Sequence, residues 1–163
     1  MEKIEYESSF HKLSKINVNE HTEEKGRFTY LSWAFAVQEL KKACPDATWG
    51  VVKAEDGSPF FKTECGYFVH VWVEVDDIKL SQIHPVLNHK NQPIEKPNAF
   101  EINTSLQRAL AKAIGLHGLG LYIYAGEDLP EGEVEPYSKP KSSANKKDEK
   151  VNMNKLAEDL AGF

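Results

Sequence analysis

The sequence predicts an α+β domain in which a long helix packs on one side of a curved antiparallel β-sheet, with helices at the N-terminus and a disordered tail at the C-terminus. In residues 67–75, YFVHVWVEV, side chains alternate strictly between two faces, which predicts a strand whose valines share one face. Asp76 and Asp77 separate it from a second strand-like run, IKLSQIH, and predict a hairpin. Residues 99–115 place apolar side chains at helical spacing, which predicts the long helix.

The N-terminal part predicts two helices joined by a polar loop. Residues 6–16 carry aromatic and aliphatic side chains at helical spacing, whereas residues 17–26, NVNEHTEEKG, are polar and indicate a loop. Ser32 is a suitable N-cap for the second helix. Trp33 belongs to the apolar face of that helix, and Pro45 ends it.

The other elements complete the sheet and the tail. Two strand-like runs, TWGVVKAED and PFFKTECG, precede the alternating strand and are separated by a Gly57-Ser58-Pro59 turn. A loop rich in Pro and Asn occupies residues 84–98, and LGLYIYAG, residues 119–126, predicts a last strand. From Glu131 the chain is rich in Pro, Ser, Lys and Glu, which predicts a disordered linker. Residues 152–163 have the spacing of a short amphipathic helix that orders against a partner, with a plain solubility tail as the alternative.

Charge and cysteine content exclude several classes of protein. The chain has 20 Lys and Arg against 25 Asp and Glu, a formal net charge of −5, so a polyanion-binding surface has to gather its cations locally. Cys44 and Cys65 are far apart and form no C-x-x-C pair, which argues against a disulfide framework and a zinc finger. The sequence has no run of signal-peptide or membrane-span type. We therefore expect a soluble protein of a reducing compartment.

Catalytic and cofactor motifs are missing from the sequence. Gly115, Gly118 and Gly120 follow a helix and enter a predicted strand, which reverses the dinucleotide-binding order, so a helix C-cap and a tight turn explain the first two better. No phosphate-binding loop of the ATPase type occurs, and we expect no cofactor. His84 and His89 could take part in a metal site with Asp76 and Asp77, but no third ligand is fixed. The sequence predicts no metal site and no enzyme.

Two cations on the long helix are the strongest candidates for a binding site. Arg108 and Lys112 stand four residues apart and share one face, with Gln107 beside them. They form either a ledge for phosphate groups or an ordinary solvated helix edge. Aromatic side chains alternate with further cations elsewhere in the chain, as single-stranded nucleic acid binding requires. Tyr30 and one of Phe60 and Phe61 are the aromatic surface candidates, and the other candidate cations are Lys53, Lys62, Lys90 and Lys96.

Four stretches resemble a known family: YLSWAFAVQEL, PDATW, HPVLN and above all QRALAKAIGLHGLGLYIYAGEDLP, residues 107–130. They are similar to bacteriophage single-strand DNA annealing proteins, a distant branch of the Rad-fifty-two-like superfamily. The resemblance covers about residues 10–130. It implies a β-β-β-α core, a ring or filament of subunits and a groove for single-stranded DNA.

The resemblance also implies roles for individual residues. Arg108 falls on the Arg of the family's Lys-Arg pair, whereas Gln107 replaces the Lys and Ala111 stands where a further Arg would be. Ala109, Leu110 and Gly115 match the family pattern, and the Glu127-Asp128-Leu129 end resembles its acidic close. Lys112, together with Lys53 and Lys62, would then supply the remaining positive charge of the groove.

The sequence therefore predicts ATP-independent binding of single-stranded DNA and annealing of complementary strands in phage homologous recombination, in the host bacterial cytoplasm. Residues 1–130 would form the annealing and oligomerisation domain, and residues 131–163 a linker with a partner-binding segment. A single-strand binding protein or another phage recombination factor is the expected partner of that segment. The alternatives are a metal-dependent nucleic-acid enzyme that uses His84 and His89, and an oligomeric structural or adaptor protein that does not bind DNA.

Overall fold

The computed structural model describes residues 7–25 and 28–125. The predictions for the start of the first helix, for the acidic end at residues 127–130 and for the tail lie outside the described residues. The α-helices are α1 (Ser9–Ser14), α2 (Trp33–Ala43) and α3 (Ala99–Leu116). The strands are β1 (Thr22–Lys25), β2 (Phe28–Leu31), β3 (Thr48–Val51), β4 (Phe61–Thr63), β5 (Gly66–Val75) and β6 (Ile78–Pro85). Short 3₁₀ helices occupy Asn19–His21 and Leu121–Tyr124.

The central antiparallel sheet is built around β5. Phe68 in β5 pairs with Phe61 of β4 and with Pro85 of β6, and Val71 pairs with Val51 of β3 as well as with β6. Because a strand has two edges, β3 and β4 must lie end to end along one edge of β5, with β6 along the other. The four strands of this sheet are followed in the chain by α3. The predicted α+β class, with an antiparallel sheet and one long helix packed on it, is confirmed.

The alternating pattern of β5 is confirmed by its burial. Val69, Val71, Val73 and Val75 are all buried in the core, whereas the residues between them are only partly covered. Asp76 and Asp77 form the two-residue turn to β6 with φ angles of 49° and 63°. A two-residue hairpin turn of this hand needs positive φ at both positions, which Asp tolerates better than most residues.

Helix α3 covers the valine face of the sheet. Its first turn is fixed by a capping box, because the Asn98 side chain accepts from the Glu101 N–H and the Glu101 side chain accepts from the Asn98 N–H. Ala109, Ala113 and Ile114 are fully buried in the same core cluster as the β5 valines. The helix therefore turns the opposite side, which carries Arg108 and Lys112, towards β2 and the following 3₁₀ helix.

The N-terminal loop prediction is wrong in part. Residues 22–25 form β1, which pairs with β2 from Thr22↔Leu31 to Lys25↔Phe28. The sequence TEEK is polar on both sides, so it shows no apolar period and its strand conformation depends on its partner. The predicted start of the second helix is confirmed, although the Ser32 side chain makes no capping hydrogen bond and Trp33 is 41% exposed, not part of the buried face.

The predicted last strand is also wrong. Residues 121–124 form a 3₁₀ helix because Gly118 and Gly120, with φ angles of 113° and 67°, reverse the chain immediately before it. Gly115 is not a C-cap but a buried position within α3, where an added Cβ would lie 3.3 Å from the ring of Tyr124. Tyr124 therefore folds back beside α3, whereas the Tyr122 hydroxyl donates to Asn19 Oδ1 at 2.6 Å in the N-terminal segment.

Within the two described ranges, none of the helices has the length and apolarity that crossing a membrane requires.

Candidate nucleic-acid interface

A groove lies where β2, β6, α3 and the second 3₁₀ helix meet, and we call it the α3 groove. Its main cavity, of about 320 Å³, is lined by all of β2 and by residues 82–85 of β6. Arg108, Ala111 and Lys112 of α3 form another wall. The positions of these walls follow from the fold, because the β5–β6 hairpin carries β6 to the sheet edge beside α3.

Arg108 is held against an aromatic ring within this groove. Its guanidinium carbon lies 4.7 Å from the centroid of the Tyr30 ring, and Nζ of Lys25 lies 5.8 Å from the same centroid. Both distances are in the range of cation–π attraction. The Tyr30 ring therefore contacts one cation from β1, Lys25, and one from α3, Arg108.

Lys112 makes the equivalent contact one helical turn further on. Its Nζ lies 5.2 Å from the centroid of the Tyr124 ring. Arg108 and Lys112 are both half-buried, so their aliphatic stems pack while their charged groups line the cavity. Both cations therefore contact aromatic rings and are only partly exposed to solvent.

A second cavity of about 290 Å³ continues the groove on the other side of the Arg108–Tyr30 contact. The two cavities share Tyr30, Leu31 and Arg108. Gln107 and the exposed ring of Trp33 line the second one. Lys25 and Glu23 also line it, so one carboxylate accompanies the cations there. The α3 groove thus combines three cations and several aromatic rings with neutral side chains in two adjoining cavities.

His84 forms part of the floor of the main cavity as a neutral side chain. Its Nδ1 lies 2.7 Å from the Pro85 carbonyl oxygen, which can only accept, so Nδ1 carries the proton and Nε2 is an acceptor. Burial above all, together with the positive charges of Lys112 and Arg108, lowers the pKa of His84 to about 4, although the hydrogen bond to Pro85 acts to raise it. The groove therefore presents a neutral imidazole beside two cations.

This burial makes stability depend on pH in a defined window. The unfolded chain takes up a proton at His84 near pH 6.5, whereas the folded chain does so only near pH 4. The free energy of unfolding is therefore expected to fall as the pH drops through this window, by about 2 kcal/mol between pH 7 and pH 5. Urea unfolding of the wild type and His84→Gln at both pH values checks this. The difference between the two profiles isolates His84, and parallel profiles would contradict its burial as a neutral group.

The structure brings some of the sequence candidates together and separates others. Arg108, Lys112, Gln107 and Tyr30 all line the α3 groove. Lys90 is exposed and precedes Asn91, whose Oδ1 accepts a hydrogen bond of 3.3 Å from the Tyr30 hydroxyl.

The remaining candidates lie away from these walls. Lys62 is on β4 and Lys53 follows β3, so both belong to the edge of β5 opposite β6. Lys96 is exposed in the loop before α3 and lines neither cavity. Of the two phenylalanines, Phe60 packs against the core. Phe61 lines a separate pocket with Phe68 and with Ile83, which also borders the main cavity of the groove.

Sequence reasoning did not single out Lys25, Asn91 or the groove position of His84. The polar sequence around Lys25 predicts a loop, and its strand conformation is visible only through its pairing with β2. Asn91 has a φ angle of 58°, which fits the Asn preference for left-handed turns, and the NQP context is the one signal for it. Within the described parts of the chain, no three His, Cys, Asp or Glu side chains are grouped to hold a metal, so the metal-dependent alternative rests on sequence alone.

The sequence was compared with curated proteins and with models of known protein families. A comparison with curated proteins found no match. The family model described as Sak Single Strand Annealing Protein matches residues 8–158, which include every residue of the α3 groove. The match confirms the family resemblance that the motifs around Arg108 indicate. The chain belongs to the Sak single-strand annealing protein family.

Proposed function

We propose that the chain binds single-stranded DNA in the α3 groove and anneals complementary strands without ATP. The observation that carries this proposal is that Arg108 and Lys25 both lie against the Tyr30 ring in one groove. Cations beside aromatic rings are the combination that holds single strands without sequence preference. Membership of the annealing family supports the same function.

The proposed mechanism is physical and needs no catalytic residue. Arg108, Lys112 and Lys25 hold phosphates, a contact that carries no sequence information. Most bases of the bound strand then stay available to a second strand. Because the strand is held extended, part of the orientational cost of pairing has been met before the second strand arrives. Formation of the duplex supplies the driving force.

We propose that assembly solves the charge problem of a chain with a net charge of −5. Repeating the α3 groove in a ring or filament would place its few cations along one continuous path, while acidic residues lie elsewhere. Among the described residues, β3 and β6 are edge strands, and the exposed side chains of Val51 and Ile83 are on them. Two different free edges on one subunit support head-to-tail contacts that close into rings or continue as filaments.

An annealing assay tests the proposed function. Two complementary fluorescent oligonucleotides are mixed with the purified chain, without ATP or metal, over a series of salt concentrations. We expect pairing to be accelerated at low salt and the acceleration to fade as salt rises, because phosphate contacts release counterions. No acceleration together with no single-strand binding would refute the proposal. Strand cleavage that needs a divalent metal would favour an enzyme, and assembly without salt-sensitive binding would favour a structural role.

The same assay addresses the tail and the boundary that we propose at residue 130. We propose that residues 152–163, at the end of the linker, bind a partner, which is a single-strand binding protein of the host cytoplasm or another phage recombination factor. A chain that lacks residues 131–163 should anneal naked strands normally. It should anneal strands that are coated with single-strand binding protein poorly. Loss of annealing on naked strands would instead assign the tail to the core function.

A further inference from the structure

We propose that the main cavity of the α3 groove takes in one unpaired nucleobase of the bound strand. This inference rests on the proposed function and makes it more specific. A surface that held only phosphates would need exposed cations and little depth. The cavity is instead about 320 Å³, at the lower end of the range for small-ligand pockets, which suits one base and not a base pair.

The lining of the cavity matches the chemistry of a base. Phe28, Ile83, Ala111 and Tyr124 supply apolar or aromatic surface, which suits the flat faces of a base and not a phosphate. The half-buried Arg108 lines the same cavity, so it can reach the sugar-phosphate chain that enters with the base. Apolar walls with a few polar groups are typical of ligand pockets.

Polar groups for the edge of a base are also present and are held in place. His84 presents Nε2 as an acceptor because its Nδ1 proton is engaged by the Pro85 carbonyl. Asn91 lines the cavity, and its Oδ1 accepts from the Tyr30 hydroxyl, so its amide NH₂ is the donor side. The turn that carries Asn91 is fixed by Asn88, whose Oδ1 accepts from the N–H groups of Lys90 and Gln92.

A pocket of this size favours release of the annealed duplex from the groove. A base that enters it cannot be paired, so the site favours a single strand over a duplex. When the complementary strand pairs with that base, the base leaves the cavity and the contact is lost. Annealing would therefore weaken the hold of each subunit on the DNA without any input of chemical energy.

Abasic DNA separates base binding from phosphate binding. The affinity of the full chain is measured by fluorescence anisotropy for a dT oligonucleotide and for one of equal length with tetrahydrofuran abasic sites. The two carry the same phosphates, so the salt dependence should be the same. We expect about tenfold weaker binding of the abasic strand, because base contacts of this kind contribute on that scale.

Two variants show whether the difference arises in this cavity. Ala111→Leu fills the cavity and should bring the dT-to-abasic ratio close to one. Asn91→Gly, which keeps the left-handed backbone and removes the amide, should lower the ratio and decides the matter if the first variant does not fold. A wild-type ratio near one, or a ratio unchanged in a folded variant, overturns the base pocket. If the wild type bound neither the dT nor the abasic oligonucleotide, DNA binding itself would be refuted.

Discussion

Replacing both cations of α3, Arg108→Ala with Lys112→Ala, is expected to weaken binding of single-stranded DNA about 25-fold near 0.1 M salt. Each phosphate contact on a single strand adds about 0.7 to the slope of log affinity against log salt, so two lost contacts flatten it by about 1.4. The loss should be equal for all sequences, since phosphates are the same at every position. Anisotropy titrations at several salt concentrations measure both quantities.

The fold provides a matched control for this experiment. Lys53→Ala with Lys62→Ala removes the same charge from the opposite edge of β5, and we expect a much smaller change in affinity and slope. Equal effects of the two double variants would mean that DNA follows the outer edge of the sheet, as the sequence resemblance allows. Unchanged affinity in a folded Arg108 and Lys112 variant would remove the α3 groove as the binding site.

Arg108→Lys distinguishes charge from shape at the same position. The variant keeps the charge, so the salt slope should stay close to that of the wild type. A lysine lacks the planar guanidinium that stacks on the Tyr30 ring, so the affinity should still fall severalfold. An Arg108→Lys variant with the affinity of the wild type would show that stacking of the guanidinium on Tyr30 contributes nothing to DNA binding.

The sequence predicted the parts of the fold whose patterns are local. The valines of β5, the Asp76-Asp77 turn and the helix from Ala99 follow from short-range rules of period, turn chemistry and capping. The pair Arg108 and Lys112 could also be found, because a spacing of four residues places two side chains on one helix face. The strand, the turn, the helix and the shared helix face are present in the structure because each depends on its own residues and little on the rest of the chain. That the two cations bind DNA stays a prediction.

The parts that could not be predicted depend on distant contacts. Strand β1 has no apolar period and exists through its pairing with β2. Tyr30, Asn91 and Arg108 are separated by more than a dozen residues at each step and meet only after folding. LYIY predicts a strand because its residues have a high strand propensity, and the two left-handed glycines before it override that propensity and give a 3₁₀ helix.

Gly118→Ala is expected to lower the free energy of unfolding by about 3 kcal/mol, because a methyl group there meets both strain and a collision. The φ angle of Gly118 is 113°, which side chains rarely adopt. An added Cβ would lie 2.6 Å from the carbonyl oxygen of Phe10 and 3.2 Å from the N of Ser14. Both neighbours are backbone atoms of α1, so the collision can be relieved only if α1 moves as a unit. Urea denaturation measures the change.

Gly57→Ala separates the two causes. Gly57 also has a positive φ angle, 83°, but an added Cβ there would meet nothing within 4 Å. Its substitution should therefore cost only the backbone strain, about 1 kcal/mol. Equal losses in the two variants would show that α1 does not pack against the end of α3. A larger loss of unfolding free energy for Gly118→Ala would mean that α1 fixes the turn that leads to Tyr124. The Tyr124 ring is the one that Lys112 contacts in the groove.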